Sequence, residues 1–340
     1  MHGQEVLNGI NLALTTLKNQ NPDLYSRIKI VVKDDKSLTS TLTSIVEDLV
    51  TKDKVHIVVG SLPLSTTLTL AKLVSFYKRI LVSPVISHQA VIQVGEGIYQ
   101  TSFSVSYEAK LLSVFALDHL KVNKAVILID HASENSKAFA KNFELVFSKN
   151  GGQVLQTFNY TLNTKELNKI FTQIKSLKPQ VIVMGVHYSV AAEVLKEAHS
   201  QKINTIFLGN SDWDSPVLYE KIGKNLMKTN YYVSHYSFDI PDEFIQNFLT
   251  NYNELYNKAP TYFAAMGYDN MLIIAAACQN TNTTLTSSLM NSFKKIKNVK
   301  TLMGKASMLP SGEIEKTGVI IKTNPVGPKF NNIIEYFTIN

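Results

Sequence analysis

Short runs of valine, isoleucine and leucine alternate along the chain with longer stretches of helical periodicity. Runs this continuously apolar are typical of strands that are buried on both faces of a parallel sheet. In the helical stretch at residues 40–50, Leu42, Ile45, Val46 and Leu49 share one face. The alternation predicts a βαβ array and hence an α/β fold. The predicted strands are "RIKIVVKD" (27–34), "VHIVVG" (55–60), "RILVSPV" (79–85), "KAVILID" (124–130), "QVIVMGV" (180–186) and "NTIFLG" (204–209).

The array occurs twice. One set ends near residue 104, and the second begins with the helix after Ser106 and restarts at "KAVILID". After about residue 240 two long helical stretches follow each other and lead into a tail of short strands. The chain of 340 residues is longer than the roughly 250–300 residues at which a single core stops growing, so we predict two lobes.

Composition and charge exclude several classes of protein. A hydrophobic content of 45% and a charged content of 18% fit a globular protein. The net charge is +7, but the lysines are spread along the chain without a basic-aromatic cluster, so we expect no nucleic acid partner. No apolar run of about 18 residues predicts a membrane span, and no leader is visible before residue 20. The single cysteine, Cys278, excludes an intramolecular disulfide and predicts a buried thiol.

Motifs for cofactor, metal and nucleophile chemistry are missing from the sequence. There is no GxxxxGK[ST], and "GEGIYQ" at 95–100 carries only two of the three dinucleotide-binding glycines. The eight histidines show no HxxxH or HExxH spacing, and there is no GxSxG elbow. A spatial Ser-His-Asp arrangement stays open, since its members need not be close in sequence. We therefore expect no cofactor, no metal and no catalytic residue.

Five predicted strands end in loops rich in small polar residues. Ligands of open α/β sheets bind beyond the carboxyl ends of the strands. Each loop alone is explained by helix capping, whereas five together favour a binding site. Arginine and lysine are missing from these strand ends, which favours a small zwitterion or anion over a phosphate. The loops are "GSLPLSTT", "SPVISHQ", "DHASEN", "GVHYSV" and "GNSDWDSP".

Particular residues in these loops suit a zwitterion. The hydroxyls of Ser65 and Ser87, together with amides at a helix start, suit a carboxylate. Asp212, Tyr188 and Trp213 are candidates for an ammonium group, since cations bind carboxylates and aromatic faces.

Motifs spread nearly end to end resemble one known family, the type I periplasmic solute-binding proteins of the branched-chain amino-acid (Leu/Ile/Val) class, which serve ABC transporters. No single motif is decisive, and the resemblance rests on their order and spacing. The similar segments are "GINLALTTLKNQ", "VVKDDKSLTSTLTSIVEDLVTKDKVHIVVGSL", "ILVSPVIS", "GNSDWDSPVL", "PTYFAAMGYDNMLIIAAA" and "VKTLMGKASMLPSGEI".

The resemblance implies two Rossmann-like lobes with parallel sheets, joined by a three-crossover hinge that closes on a ligand. Lobe I would hold residues 1–104 and 237–301, and lobe II residues 105–236 and 302–340. The family opens with a strand before the first helix, whereas this chain opens at "MHGQEV" on that helix. We therefore expect lobe I to lack its first strand, and the usual signal peptide or lipoprotein cysteine to lie upstream.

The function implied is that of an extracytoplasmic solute-binding protein and not of an enzyme. Such a protein captures an amino acid or similar small polar or anionic solute in an interlobe cleft and delivers it to an ABC permease. It would be periplasmic or on the cell surface, and at most peripheral to the membrane. The alternative is a ligand-sensing or regulatory envelope domain of the same fold, such as a receptor ectodomain or a regulator of a cell-wall synthase. A hydrolase or lyase is the third hypothesis.

The family's ligand contacts carry over unevenly. Ser65 is the nearest match to a ligand-binding serine, although Leu64 occupies the usual place. An aromatic position is replaced near Glu134, and the acidic partner of the ligand amine falls at Ser211, one residue before Asp212. The carboxylate half of the site is therefore retained and the amine half is altered. The predicted ligand-binding residues are Ser65, Thr66, Ile86, Ser87, Glu134, His187, Tyr188, Asp212 and Trp213.

Overall fold

The computed structural model describes residues 2–162, 164–223, 230–238, 240–281, 283–302, 304–323 and 331–337. The helices are α1 (His2–Gln20), α2 (Pro22–Ser26), α3 (Thr39–Thr51), α4 (Leu64–Phe76), α5 (Gln89–Ile92), α6 (Val105–Val114), α7 (Glu134–Lys149), α8 (Thr164–Leu177), α9 (Tyr188–Ser200), α10 (Pro216–Ile222), α11 (Glu243–Tyr256), α12 (Tyr262–Gln279) and α13 (Thr286–Lys294). A π-helical turn covers Phe115–His119, and a 3₁₀ turn covers Ser211–Trp213.

The strands of the two α/β arrays are short, and most of their central residues are buried. They are β1 (Ile57–Val59), β2 (Ile80–Ser83), β3 (Ile98–Gln100), β4 (Lys124–Asp130), β5 (Gln153–Tyr160), β6 (Val181–Met184), β7 (Ile206–Gly209), β8 (Tyr231–Ser234), β9 (Val299–Thr301), β10 (Gly304–Met308), β11 (Ile314–Lys316), β12 (Gly318–Thr323) and β13 (Asn331–Phe337).

The chain divides into two compact units and passes from one to the other three times. Unit 1 holds residues 1–104 and 241–317, and unit 2 holds residues 105–240 and 318–340. The sequence had placed residues 302–317 in the second lobe and 237–240 in the first. Residues 302–317 lie in unit 1 because β10 pairs antiparallel with both β9 and β11, which makes one small sheet of the three strands.

The described part of unit 1 has a parallel sheet in the order β1-β2-β3. All four residues of β2 are buried, as its apolar run predicts. The prediction of a strand at residues 27–34 is wrong, because the chain forms no strand there. Ile30 and Val32 are instead 41% and 59% exposed, since a β-rich segment without a paired neighbour has no sheet face to cover it.

Helix α1 packs on α12 with backbone against backbone. A Cβ added at Gly9 would lie 1.9 Å from the carbonyl oxygen of Ala264, and one added at Gly267 would lie 2.1 Å from that of Val6. Both glycines therefore permit a closer approach than any side chain allows. Beside this contact, Asp269 of α12 pairs with Lys316 of β11 at 3.4 Å, and both side chains are almost completely buried.

Unit 2 is built on a sheet in the order β13-β12-β8-β7-β6-β4-β5. The five strands from β5 to β8 run parallel, β12 pairs antiparallel with β8, and β13 pairs antiparallel with β12. Because parallel strands end at the same edge of a sheet, the loops after β4, β6, β7 and β8 lie along one edge. None of the described helices has the length and apolarity needed to span a bilayer.

Candidate functional site

Three loops follow the parallel strands of unit 1, at residues 60–67, 84–88 and 101–104, and we call them the unit 1 loops. They are rich in hydroxyl groups, many of which bond to the backbone of neighbouring strand ends. Ser102 Oγ donates to the carbonyl of Val85 at 2.8 Å, and Thr101 Oγ1 donates to that of Ser83 at 3.3 Å. These bonds fix the second and third loops against each other.

The first unit 1 loop holds two predicted ligand residues, Ser65 and Thr66, which differ in exposure. Ser65 is exposed in the first turn of α4. Thr66 is only 1% exposed, and its hydroxyl bonds to Ser61 Oγ at 3.0 Å and to the carbonyl of Pro63 at 2.9 Å. The Thr66 hydroxyl therefore holds the loop together, whereas the Ser65 side chain faces solvent.

The second unit 1 loop holds Ile86 and Ser87, both half-buried. The Ile86 carbonyl accepts a hydrogen bond from Ser83 Oγ at 2.8 Å. Ser87 Oγ lies 3.3 Å from Oε1 of Gln100, a long contact that leaves its hydroxyl able to bond elsewhere. Gln100 itself is fully buried and donates to the carbonyl of His88 at 2.9 Å, which fixes the loop behind Ser87.

Asp35 joins the first loop although the sequence analysis did not single it out. Its carboxylate accepts hydrogen bonds from Ser61 Oγ and from the amide of Ser37. The signal for it in the sequence is the pair of aspartates in "KDDK", within a segment that resembles the family. Asp35 is thus the carboxylate that the structure adds to the hydroxyl groups of unit 1.

Four loops follow strands β4, β6, β7 and β8 of unit 2, at residues 131–136, 185–189, 210–215 and 235–238, and we call them the unit 2 loops. Asn210 connects two of them. Its Oδ1 accepts from the amide of Val186 at 3.1 Å, and its Nδ2 donates to Asp212 at 3.0 Å. Asp212 is exposed, so the buried amide of Asn210 presents a carboxylate at the surface of this edge.

Glu108 of α6 completes this part of unit 2, and it was not among the residues predicted from the sequence. Its carboxyl group accepts from the hydroxyl of Ser211 at 2.6 Å and from the amide of Ser211 at 3.2 Å. Burial raises the pKa of Glu108 to about 8, with a further contribution from the nearby charge of Asp212. Nothing in the helical sequence "VSYEAKLL" marks Glu108 as different from a surface glutamate.

His187 and Tyr188 lie together at the start of α9, with ring centroids 4.0 Å apart. His187 is exposed and caps the helix, since its Nδ1 accepts from the amide of Ser189. Glu134 lies in another unit 2 loop, where its side chain is 83% exposed and pairs with Lys137 at 2.8 Å. The hydrogen bond from Lys137 holds the pKa of Glu134 below its usual value. Glu134 is thus occupied by a local ion pair.

The structure corrects the prediction for Trp213. Its side chain is completely buried, and its ring packs so closely on Gly209 that an added Cβ would lie 2.2 Å from it. The indole fills the core beneath the 210–215 loop, because the 3₁₀ turn directs it inward. Trp213 therefore supports the loop and does not offer an aromatic face to a cation.

The unit 1 and unit 2 loops differ in chemistry. None of the seven loops contains lysine or arginine. The unit 1 loops offer hydroxyl groups and amides, which suit a carboxylate. The unit 2 loops add the carboxylates of Glu134, Asp212 and Asp214, and Asp214 is held by Ser234 at 2.5 Å and Tyr232 at 3.2 Å. Within the described ranges, no three potential metal ligands come together.

The sequence and the fold were compared with known proteins. A family model described as periplasmic binding protein matches residues 2–320. A leucine-binding protein, LivK, from Thermotoga maritima MSB8 has a TM-score of 0.75 and 20% identity, over 98% of this chain and 94% of its own.

Two other solved structures have the same fold. A substrate-binding protein from Desulfitobacterium hafniense in complex with Leu has a TM-score of 0.80 and 18% identity, over 97% of this chain and 95% of its own. A solute-binding protein of R. palustris in complex with benzoate has a TM-score of 0.70 and 16% identity, over 98% of this chain and 91% of its own. The comparison with curated proteins gives no match.

Proposed function

Because this chain belongs to the periplasmic binding protein family, we propose that it captures an amino acid or a similar small polar or anionic solute and delivers it to an ABC importer. The solute leaves unchanged, so the protein is not an enzyme. Its place of action is the periplasm or the cell surface, and its partner is the permease of the importer.

The observation that carries this proposal is the composition of the strand-end loops. They gather hydroxyls, amides and carboxylates at the edge where α/β sheets bind ligands, and they contain neither lysine nor arginine. A phosphate-bearing solute favours such cations, whereas a carboxylate is satisfied by hydroxyls and helix-start amides. In this proposal Ser65, Ile86 and Ser87 serve the carboxylate.

The solute's remaining polar groups are proposed to meet unit 2. Besides Glu134, which pairs with Lys137, the exposed or half-buried predicted residues there are Asp212, His187 and Tyr188. Similar structures were solved with leucine and with benzoate. Leucine carries an amine and benzoate does not, so these two probes test solutes of both kinds.

A thermal-shift screen tests the proposal. We expect L-leucine or benzoate at millimolar concentration to raise the melting temperature, because a ligand that binds only the folded state stabilises it by mass action. At a concentration 100 times Kd the stabilisation is about 2.7 kcal/mol. Choline and glucose, which carry no carboxylate, serve as control solutes. No shift with any amino acid or small carboxylic acid would contradict solute capture.

We also expect Ser87→Ala to weaken binding of whichever of L-leucine and benzoate gives the shift. The loss is about 1–3 kcal/mol, because a hydrogen bond to a charged carboxylate disappears. Isothermal titration calorimetry measures it. Ser287→Ala, at an exposed position of α13 in the same unit, is the matched control. If both variants bind with wild-type affinity, Ser87 is not in the site.

A further inference from the structure

The pairing of Glu108 with Ser211 places a carboxyl group behind an altered position of the proposed site. Ser211 stands where the resemblance expects an acidic partner for a ligand amine. The folded chain nevertheless places an acidic residue beside this position. Both the amide and the hydroxyl of Ser211 donate to the carboxyl group of Glu108, which lies 103 positions earlier in the chain.

The two members of this pair, Glu108 and Ser211, differ in burial. Glu108 is 5% exposed, so it contacts Ser211 from inside the unit. Ser211 is half-buried in the 210–215 loop and lies directly before the exposed Asp212. Ser211 is thus the member of the pair that lies partly at the surface, while the buried carboxyl group bonds to its hydroxyl from inside the unit.

A serine hydroxyl has one hydrogen to donate and two lone pairs to accept with. When Glu108 is ionised it can only accept, so Ser211 donates its hydrogen inward and turns a lone pair outward. When Glu108 is protonated its own hydrogen can be donated to Ser211 Oγ, which frees the serine hydrogen to point outward. The two states of one buried carboxyl group therefore present opposite hydrogen-bonding groups at the surface.

We propose that Glu108 is a positioning residue of the unit 2 site, whose ionisation turns Ser211 from a donor to a bound solute into an acceptor from it. The ionised state fits a solute amine, and the protonated state fits an acceptor such as a carboxylate. This inference rests on the proposed function and deepens it, because it makes the preference between amine-bearing and amine-free solutes depend on pH.

Among the residues that the structure describes, two charged or titratable groups face Glu108 from neighbouring elements. Asp212, in the 3₁₀ turn, opposes ionisation by its own negative charge. His235, after β8, lies with Nε2 3.8 Å from the Glu108 carboxyl group and favours ionisation when it carries a proton. The raised pKa of Glu108, about 8, places the change between pH 7 and pH 9.

The first test needs no ligand. The amide of Ser211 donates to Glu108, so its ¹⁵N and ¹H chemical shifts in the serine-labelled full chain are expected to titrate between pH 6.5 and 9.5. The titration should vanish in Glu108→Gln, whose amide cannot ionise, and persist in Glu144→Gln, an exposed position of α7. A Ser211 amide that does not titrate, or that titrates equally in Glu108→Gln, overturns the proposal.

The second test measures Kd for L-leucine and for benzoate at pH 6.5 and 9 in wild type and in Glu108→Gln. Dividing each wild-type value by that of the variant at the same pH cancels the titration of the probe. From pH 6.5 to 9 we expect the relative affinity for leucine to rise about tenfold, the scale of one hydrogen bond to a charged group, and that for benzoate to stay level or fall. In Ser211→Ala, which removes only the hydroxyl, the affinity for leucine relative to Glu108→Gln should not rise from pH 6.5 to 9.

The outcomes separate the inference from the function on which it rests. If leucine or benzoate binds but the ratios do not change with pH, the role of Glu108 is overturned while solute capture stands. If neither probe nor any other small acid binds while the Ser211 amide titrates, solute capture fails and the ligand role of Glu108 fails with it. A Ser211→Ala variant that keeps the full pH effect also overturns the inference.

Discussion

Replacing Gly9 with alanine is expected to lower the free energy of unfolding by about 3 kcal/mol, the upper part of the range for overpacked interiors. The new Cβ would lie 1.9 Å from the carbonyl oxygen of Ala264 and 2.8 Å from the amide nitrogen of Tyr268. These are backbone atoms of α12, so no side-chain rotation relieves the clash and the two helices must separate. Urea denaturation measures the loss as a lower transition midpoint.

Gly3→Ala is the matched control for this variant. Gly3 lies in the same helix, is exposed, and its added Cβ would meet only a side-chain carbon of Leu62 at 4.0 Å. Alanine favours helix over glycine by about 1 kcal/mol in a helix interior, so Gly3→Ala should be neutral or slightly stabilising. If Gly9→Ala is as stable as Gly3→Ala, the close packing of α1 on α12 is wrong.

The second large effect is expected for Lys316→Met. Lys316 and Asp269 are 1% and 2% exposed and lie 3.4 Å apart. Removing one member of a buried ion pair typically costs about 3–5 kcal/mol, because the other charge then stays buried without its counterion. The methionine fills the same volume, so the loss measured by urea denaturation reports the charge. Lys305→Met, at an exposed position of the adjacent strand β10, should change the transition midpoint little.

A double variant separates charge from packing at this pair. Asp269 also accepts a hydrogen bond from the amide of Leu302 at 2.8 Å, which an asparagine can accept equally well. Lys316→Met combined with Asp269→Asn therefore removes both charges and keeps that bond. We expect the double variant to recover most of the stability lost in Lys316→Met. A double variant as unstable as the single one would show that the ammonium group does not act through Asp269.

Most of the fold was predictable from local pattern. The runs at β1, β2, β4, β6 and β7 were identified because strands covered on both faces need continuous apolar sequence. The run at residues 27–34 has the same pattern and forms no strand, since a strand also requires a hydrogen-bonded neighbour. The place of residues 302–317 in unit 1 was missed for a related reason. Strands β9, β10 and β11 form one sheet only through their pairing, which the sequence pattern does not show.

The candidate site was predictable only in part. The sequence identified the loops that carry hydroxyls and carboxylates, including Ser87 and Asp212, because the direction of each strand fixes which of its ends bears the loop. Three features of the site could not be predicted from the sequence. Thr66 bonds within its own loop, Trp213 is buried beneath another, and Glu108 reaches Ser211 from a distant helix.

Residue pattern alone predicted an α/β protein whose parallel strands end in small polar loops without lysine or arginine, because periodicity and residue chemistry are local properties. Which of those polar groups bond to one another, and which reach the surface, became known only from the folded chain. Burial and hydrogen bonding depend on residues far apart in the chain, so Ser211 and Glu108 acquire their relation, and Gly9 its necessity, only when the chain is folded.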